Sequence, residues 1–83
     1  MRVIYAPSAS AQLDALPQSV QIRIVDKIAF YASQPDTLSF AKPLTGYNAY
    51  RFRIGDYRAI VEVNGEILFV LLVVKREGAY RNL

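Results

Sequence analysis

Three arginines supply the clearest chemistry in the chain. Arg51, Arg53 and Arg58 stand in the segment Tyr50-Arg51-Phe52-Arg53-Ile54-Gly55-Asp56-Tyr57-Arg58. A guanidinium keeps its charge at any physiological pH, and its planar fork of donors grips phosphate oxygens two at a time. The spacing decides where these forks point. Gly55-Asp56 between two alternating runs is a two-residue hairpin signal, which sets Ile54 opposite Tyr57 and Arg53 opposite Arg58. Arg51 then shares their face, because strand side chains alternate with period two. Like charges placed directly opposite destabilise a hairpin. Such a pair implies an anion brought from outside, and the segment reads as a phosphate-handling surface.

RNA can be cut without a metal when its own 2′-hydroxyl attacks the adjacent phosphorus. The protein must align that attack, stabilise the extra charge on the phosphorane and help the 5′-oxygen leave. Three fixed guanidinium groups suit the second task, each such preorganised donor being worth roughly 3 to 4 kcal/mol of barrier. A second basic group lies near the C-terminus, where Lys75, Arg76 and Arg81 are opposed only by Glu77. Strict alternation puts Lys75 on the arginine face, where cationic neighbours would depress its pKa and make it the better candidate base. Arg76 alternates to the far face, and joins the patch only if the strand ends or bulges there. Tyr80, flanked by Arg76 and Arg81, is placed to stack on a base or orient a phosphate.

Composition narrows the alternatives. The chain has neither cysteine nor histidine, so disulfide scaffolds and thiolate metal sites are out, and acid–base work falls to Arg, Lys, Tyr, Asp or Glu. No acidic cluster suggests a metal site, and no cofactor is expected. Eighty-three residues, 53% of them hydrophobic, make one domain (1–83) with more apolar surface than a small core absorbs, so a partner is expected. The net charge of +3 is mild; the clustering of the arginines matters more. The N-terminus lacks the apolar stretch of a signal peptide, and the apolar run Ile67 to Val74 is too short to span a bilayer. A soluble cytoplasmic protein without membrane association is the expectation.

The elements that must hold these groups follow from periodicity. Arg2 to Tyr5 reads as a strand, and Ser8 or Ser10 can cap a helix reaching about Leu16. Pro17 suits the first turn of a second helix. Val20, Ile24, Ile28 and Tyr31 form its apolar stripe, widened by Val25, Ala29 and Ala32. Pro35 ends it near Gln34. Residues 35 to 49 read as a long connector. Tyr50 to Ile54, Tyr57 to Val63 and Glu66 to Lys75 form a meander, its second turn a type I′ Asn64-Gly65. Strict alternation puts Leu68, Val70, Leu72 and Val74 on the face beneath the helices. The last strand, apolar on both faces, should be central with the N-terminal strand beside it. The fold class expected is α+β, β-α-α-β-β-β, with a two-helix hairpin on one face of a mainly antiparallel four-stranded sheet.

These features together resemble the RelE/ParE superfamily of toxins from type II toxin–antitoxin modules. The resemblance spans nearly the whole chain. It rests on Leu16-Pro17 at the helical bend, Pro43-Leu44-Thr45-Gly46, the arginine segment 50–58, Val74-Lys75-Arg76-Glu77 and Ala79-Tyr80-Arg81. Similarity to the RelE branch implies a metal-independent endoribonuclease that cuts mRNA in the ribosomal A site and is silenced by a cognate antitoxin. It also implies roles. Arg51 and Arg53 would lie near the attacking hydroxyl, Arg58 would stabilise the phosphate, Arg76 would serve the leaving group and Tyr80 would stack on the substrate base. Lys75 and Arg81 would bind RNA. Similarity to the ParE branch implies instead a toxin that binds and poisons DNA gyrase.

Overall fold

A computed structural model describes residues 1–46 and 48–76. The elements run β1 (Arg2–Tyr5), α1 (Pro7–Asp14), α2 (Gln18–Ser33), a 3₁₀ turn (Thr37–Phe40), β2 (Ala41–Pro43), β3 (Tyr50–Ile54), β4 (Tyr57–Asn64) and β5 (Ile67–Lys75). The sheet order is β1-β5-β4-β3-β2. β1 lies parallel to β5, and the other pairings are antiparallel. The α+β class and the order of helices and strands are those expected. Among the described residues the sheet has five strands rather than four, because Ala41–Pro43 in the expected connector pairs with β3. Pro43 is tolerated there since β2 is an edge strand and needs no donor on its outer side.

Both helices pack on one face. Ile24, Ile28 and Tyr31 of α2 and Leu13 of α1 meet Phe52, Val61, Leu68 and Val70 of the sheet. The Tyr31 ring stacks on Phe52 at 4.8 Å between centroids and on Phe40 at 5.0 Å. Burying such side chains gives about 1.5 to 3 kcal/mol each. The apolar stripe of α2 is narrower than periodicity suggested, for Val25 is 39% exposed and Ala29 is exposed. Neither serine caps α1. Its N-cap is Ala6, with Pro7 in the first turn, where the missing N–H costs nothing.

The two hairpins share one turn geometry. Ile54 faces Tyr57 across Gly55-Asp56 as read, and Asn64 faces Ile67 across Gly65-Glu66. The second loop is therefore Gly65-Glu66, not Asn64-Gly65. Gly55 and Gly65 have φ of 58° and 60°, and no non-glycine residue among those described has a positive φ. A glycine at the first loop position with a right-handed residue after it is the type II′ pattern, which spares Asn64 the left-handed region. The shift moves the pairing by two residues and so leaves the faces unchanged.

One irregularity does change the faces. The β4–β5 register shifts between Ile60 and Val61, whose partners are Leu72 and Val70. Leu71 is thus an extra residue, a bulge. Beyond it Val73 faces Ala59 and is 4% exposed, whereas Leu72 is 39% exposed. The expectation that Leu72 and Val74 lie beneath the helices is overturned for this reason. No helix among the described residues is long and apolar enough to cross a membrane.

Candidate phosphate-binding site

The face opposite the helices carries the site. Arg51 and Arg53 project from β3, Arg58 from β4 and Lys42 from β2, with Lys42 paired to Arg51 and Arg53 paired to Arg58. Past the bulge, β5 delivers Val74 opposite Arg58 and Lys75 opposite Tyr57. Tyr57 packs against the core, so Lys75 stands on the helix side of the sheet. The next residue, Arg76, donates its backbone N–H to the Asp56 carbonyl at 2.8 Å and falls on the arginine face. Strict alternation assigned these two residues the other way round. The bulge exchanges them.

Lys42, Arg51, Arg53, Arg58 and Arg76 line a cavity of about 160 Å³ together with Phe40. That volume accepts a phosphate group with its ester oxygens but not a nucleoside. Arg58 is the fixed member, 3% exposed. Its Nη1 donates to the Tyr57 carbonyl at 3.1 Å, with a longer contact to the Gly55 carbonyl at 3.5 Å. Arg53 and Arg76 are exposed and Arg51 is half-buried. No carboxylate lines the cavity among the described residues. Five cations gathered around one cavity form a preorganised positive field, strongest around the buried Arg58.

The structure therefore brings together Arg51, Arg53, Arg58 and Arg76, and sets Lys75 apart. Tyr80 and Arg81 lie outside the described residues. Sequence reasoning missed Lys42 and Phe40. Lys42 would have emerged had Ala41-Lys42-Pro43 been recognised as an edge strand, but three residues containing a proline give almost no strand signal. Phe40 is 43% exposed and joins the cavity to the Tyr31–Phe52 ring stack.

Residues 3–80 match the family described as the ParE toxin of type II toxin–antitoxin systems, parDE. The chain belongs to that family. Within the wider RelE/ParE superfamily it is 31% identical over 84 residues to Toxin RelE3 of Methanocaldococcus jannaschii, covering 96% of each chain. The toxin–antitoxin complex RelBE2 of Mycobacterium tuberculosis contains a similar fold, with a TM-score of 0.75, 25% identity, and 90% of this chain matched to 96% of that one. The RelB–RelE antitoxin–toxin complex of Methanococcus jannaschii gives a TM-score of 0.72 at 27% identity, over 96% of this chain and 98% of the other.

Proposed function

We propose that this toxin is a metal-independent endoribonuclease that cuts mRNA in the ribosomal A site, acts in the cytoplasm, and is held inactive by a cognate antitoxin. One observation carries the reading: four arginines and a lysine line a single phosphate-sized cavity. In the step envisaged, the 2′-oxygen forms a bond to phosphorus as the bond from phosphorus to the 5′-oxygen breaks. The products are a 2′,3′-cyclic phosphate and a 5′-hydroxyl. Arg58 and Arg53 hold the equatorial oxygens as negative charge builds, and Arg51 steers the attacking side. Arg76 sits by the leaving oxygen. The 2′-hydroxyl proton leaves to water, and Lys42 supplies the proton to the 5′-oxygen, an ammonium giving up its proton more readily than a guanidinium. Tyr80 would stack on a base and Arg81 would hold the RNA backbone.

The antitoxin reading draws on the complexes of the relatives and on the open sheet face. Ile67, Phe69, Leu72 and Val74 are incompletely covered there, beside the basic cavity. A segment with apolar side chains followed by carboxylates would cover both.

The second reading, binding and poisoning of DNA gyrase, is favoured by the family match to ParE toxins. Purified toxin on translating ribosomes, with mapping of mRNA ends, separates the two. We expect A-site cuts that fall at least about a thousandfold in the Arg58→Ala, Arg76→Ala double variant. Undiminished cutting by that variant, or no cutting by the wild type together with inhibited supercoiling by gyrase, would overturn the nuclease reading.

A further inference from the structure

We infer that Ser8 and Gln12 of α1 act as a clamp that selects the register of the second half of β5, and so decide that Arg76 rather than Lys75 enters the cationic cavity. Two hydrogen bonds define the clamp. The Ser8 hydroxyl donates to the Leu71 carbonyl at 2.7 Å, and the Val73 N–H donates to Gln12 Oε1 at 2.7 Å. Ser8 and Gln12 are one helical turn apart, hence on one face of α1.

The bonded groups exist at that edge only because of the bulge. The Val70 carbonyl accepts from the Ala6 N–H at 2.9 Å, so it points toward the β1–α1 side. In a regular strand the carbonyl of the next residue points to the opposite edge. Here the Leu71 carbonyl points the same way as that of Val70, and the Val73 N–H with it. Sliding the strand by one residue would turn both away from Ser8 and Gln12.

Apolar patterning does not hold the bulge in place. A bulge-free strand would bury Leu72 and Val74 beneath the helices and carry Lys75 outward, whereas the observed register exposes Leu72 and buries Val73. Hydrophobic burial thus favours the register that is not observed. The polar clamp opposes it, as does the Arg76 N–H bond to the Asp56 carbonyl made in the same register. Since β5 is the last described strand, releasing the bulge alters only the pairing from residue 71 onward. Ser8 and Gln12 touch nothing in the cavity and are positioning residues. Their relevance to RNA cutting rests on the function proposed above, but their effect on register can be read without it.

The register is measured by NMR on the Ser8→Ala, Gln12→Met double variant. The Ala59 methyl faces Val73 in the wild type; on release it would face Leu72. We expect the double variant to show the Ala59–Leu72 contact, and its phosphate-induced shift at the Arg76 Nε–H to weaken on the order of thirtyfold, the effect of two lost hydrogen bonds. Ser8→Thr with Gln12→Glu, which keeps a donor and an acceptor, should restore both. Deleting Leu71 supplies a second route. It leaves a regular strand with Arg76 still on the arginine face, so in that background the double substitution should become silent. An Ala59–Val73 contact that persists in the folded double variant would overturn the clamp. So would a Leu71 deletion that remains sensitive to Ser8 and Gln12. Absence of RNA cutting by the wild type would count against the nuclease reading while leaving the register result standing.

Discussion

The two halves of β5 have similar composition and opposite rules. Ile67 to Val70 lies between β1 and β4, hydrogen-bonded on both edges, and alternates as apolar patterning demands. Leu71 to Lys75 has lost β1 and gained α1, whose side chains bond its free edge. There the alternation is reversed. Where both faces of a strand are apolar, burial prefers one phase only weakly, and here it prefers the one not adopted. What lies along the edge then sets it, and the identity of the basic residue that reaches the site follows.

Charge substitution should break the symmetry between neighbours most strongly. Val73→Asp puts an unpaired carboxylate into the core and is expected to cost about 4 kcal/mol or more, unfolding a domain of this size at modest denaturant. Val74→Asp, beside Arg58 on the open face, should leave the midpoint of urea unfolding within about 1 kcal/mol of wild type. If the two exchange places, the bulge is misplaced.

Truncation sharpens the contrast further. Leu68→Ala in the first half removes a fully buried side chain and should cost about 3 kcal/mol. Leu72→Ala in the second half removes an exposed one and should cost less than about 1 kcal/mol. Chemical denaturation of the two variants side by side checks this. Equal losses would mean that Leu72 is core, as strict alternation has it.

A smaller effect is expected at Tyr5, at the end of the strand that supports the first half. Its hydroxyl is buried with no hydrogen-bond partner among the described residues, and burial raises its pKa above the ordinary 10.0. The folded state favours the neutral phenol. That contribution is complete below about pH 10 and is lost as the pH climbs through the folded-state value. Tyr5→Phe should stabilise the protein by up to about 1 kcal/mol and flatten the alkaline loss in a pH series of thermal melts. A destabilised phenylalanine variant would show that the hydroxyl has a partner.

These contrasts also mark what could be read from residue order. Gly55-Asp56 fixed Arg53 opposite Arg58, because a two-residue turn leaves no freedom of register. The bounds of α2 followed from Pro17 and Pro35, and the central place of β5 from its two apolar faces. What escaped notice lacks a local signal. Ala41–Pro43 is too short and too polar to announce a strand. The serines of α1 look like caps, yet Ser8 spends its hydroxyl on a carbonyl far away in sequence. Asn64-Gly65 resembles the commoner turn, but placing Gly65 first avoids a left-handed asparagine. The bulge was invisible because Val70-Leu71-Leu72-Val73-Val74 reads the same in either phase, and with it the exchange of Lys75 for Arg76.

That exchange can be tested directly by single-turnover cleavage of ribosome-bound mRNA with Arg76→Ala and Lys75→Ala compared in parallel. We expect Arg76→Ala to cut about a hundred- to a thousandfold more slowly, and Lys75→Ala to stay within about threefold of wild type, its charge lying across the sheet from the reacting phosphate. A large loss at Lys75 with little at Arg76 would contradict the register, and with it the site as described.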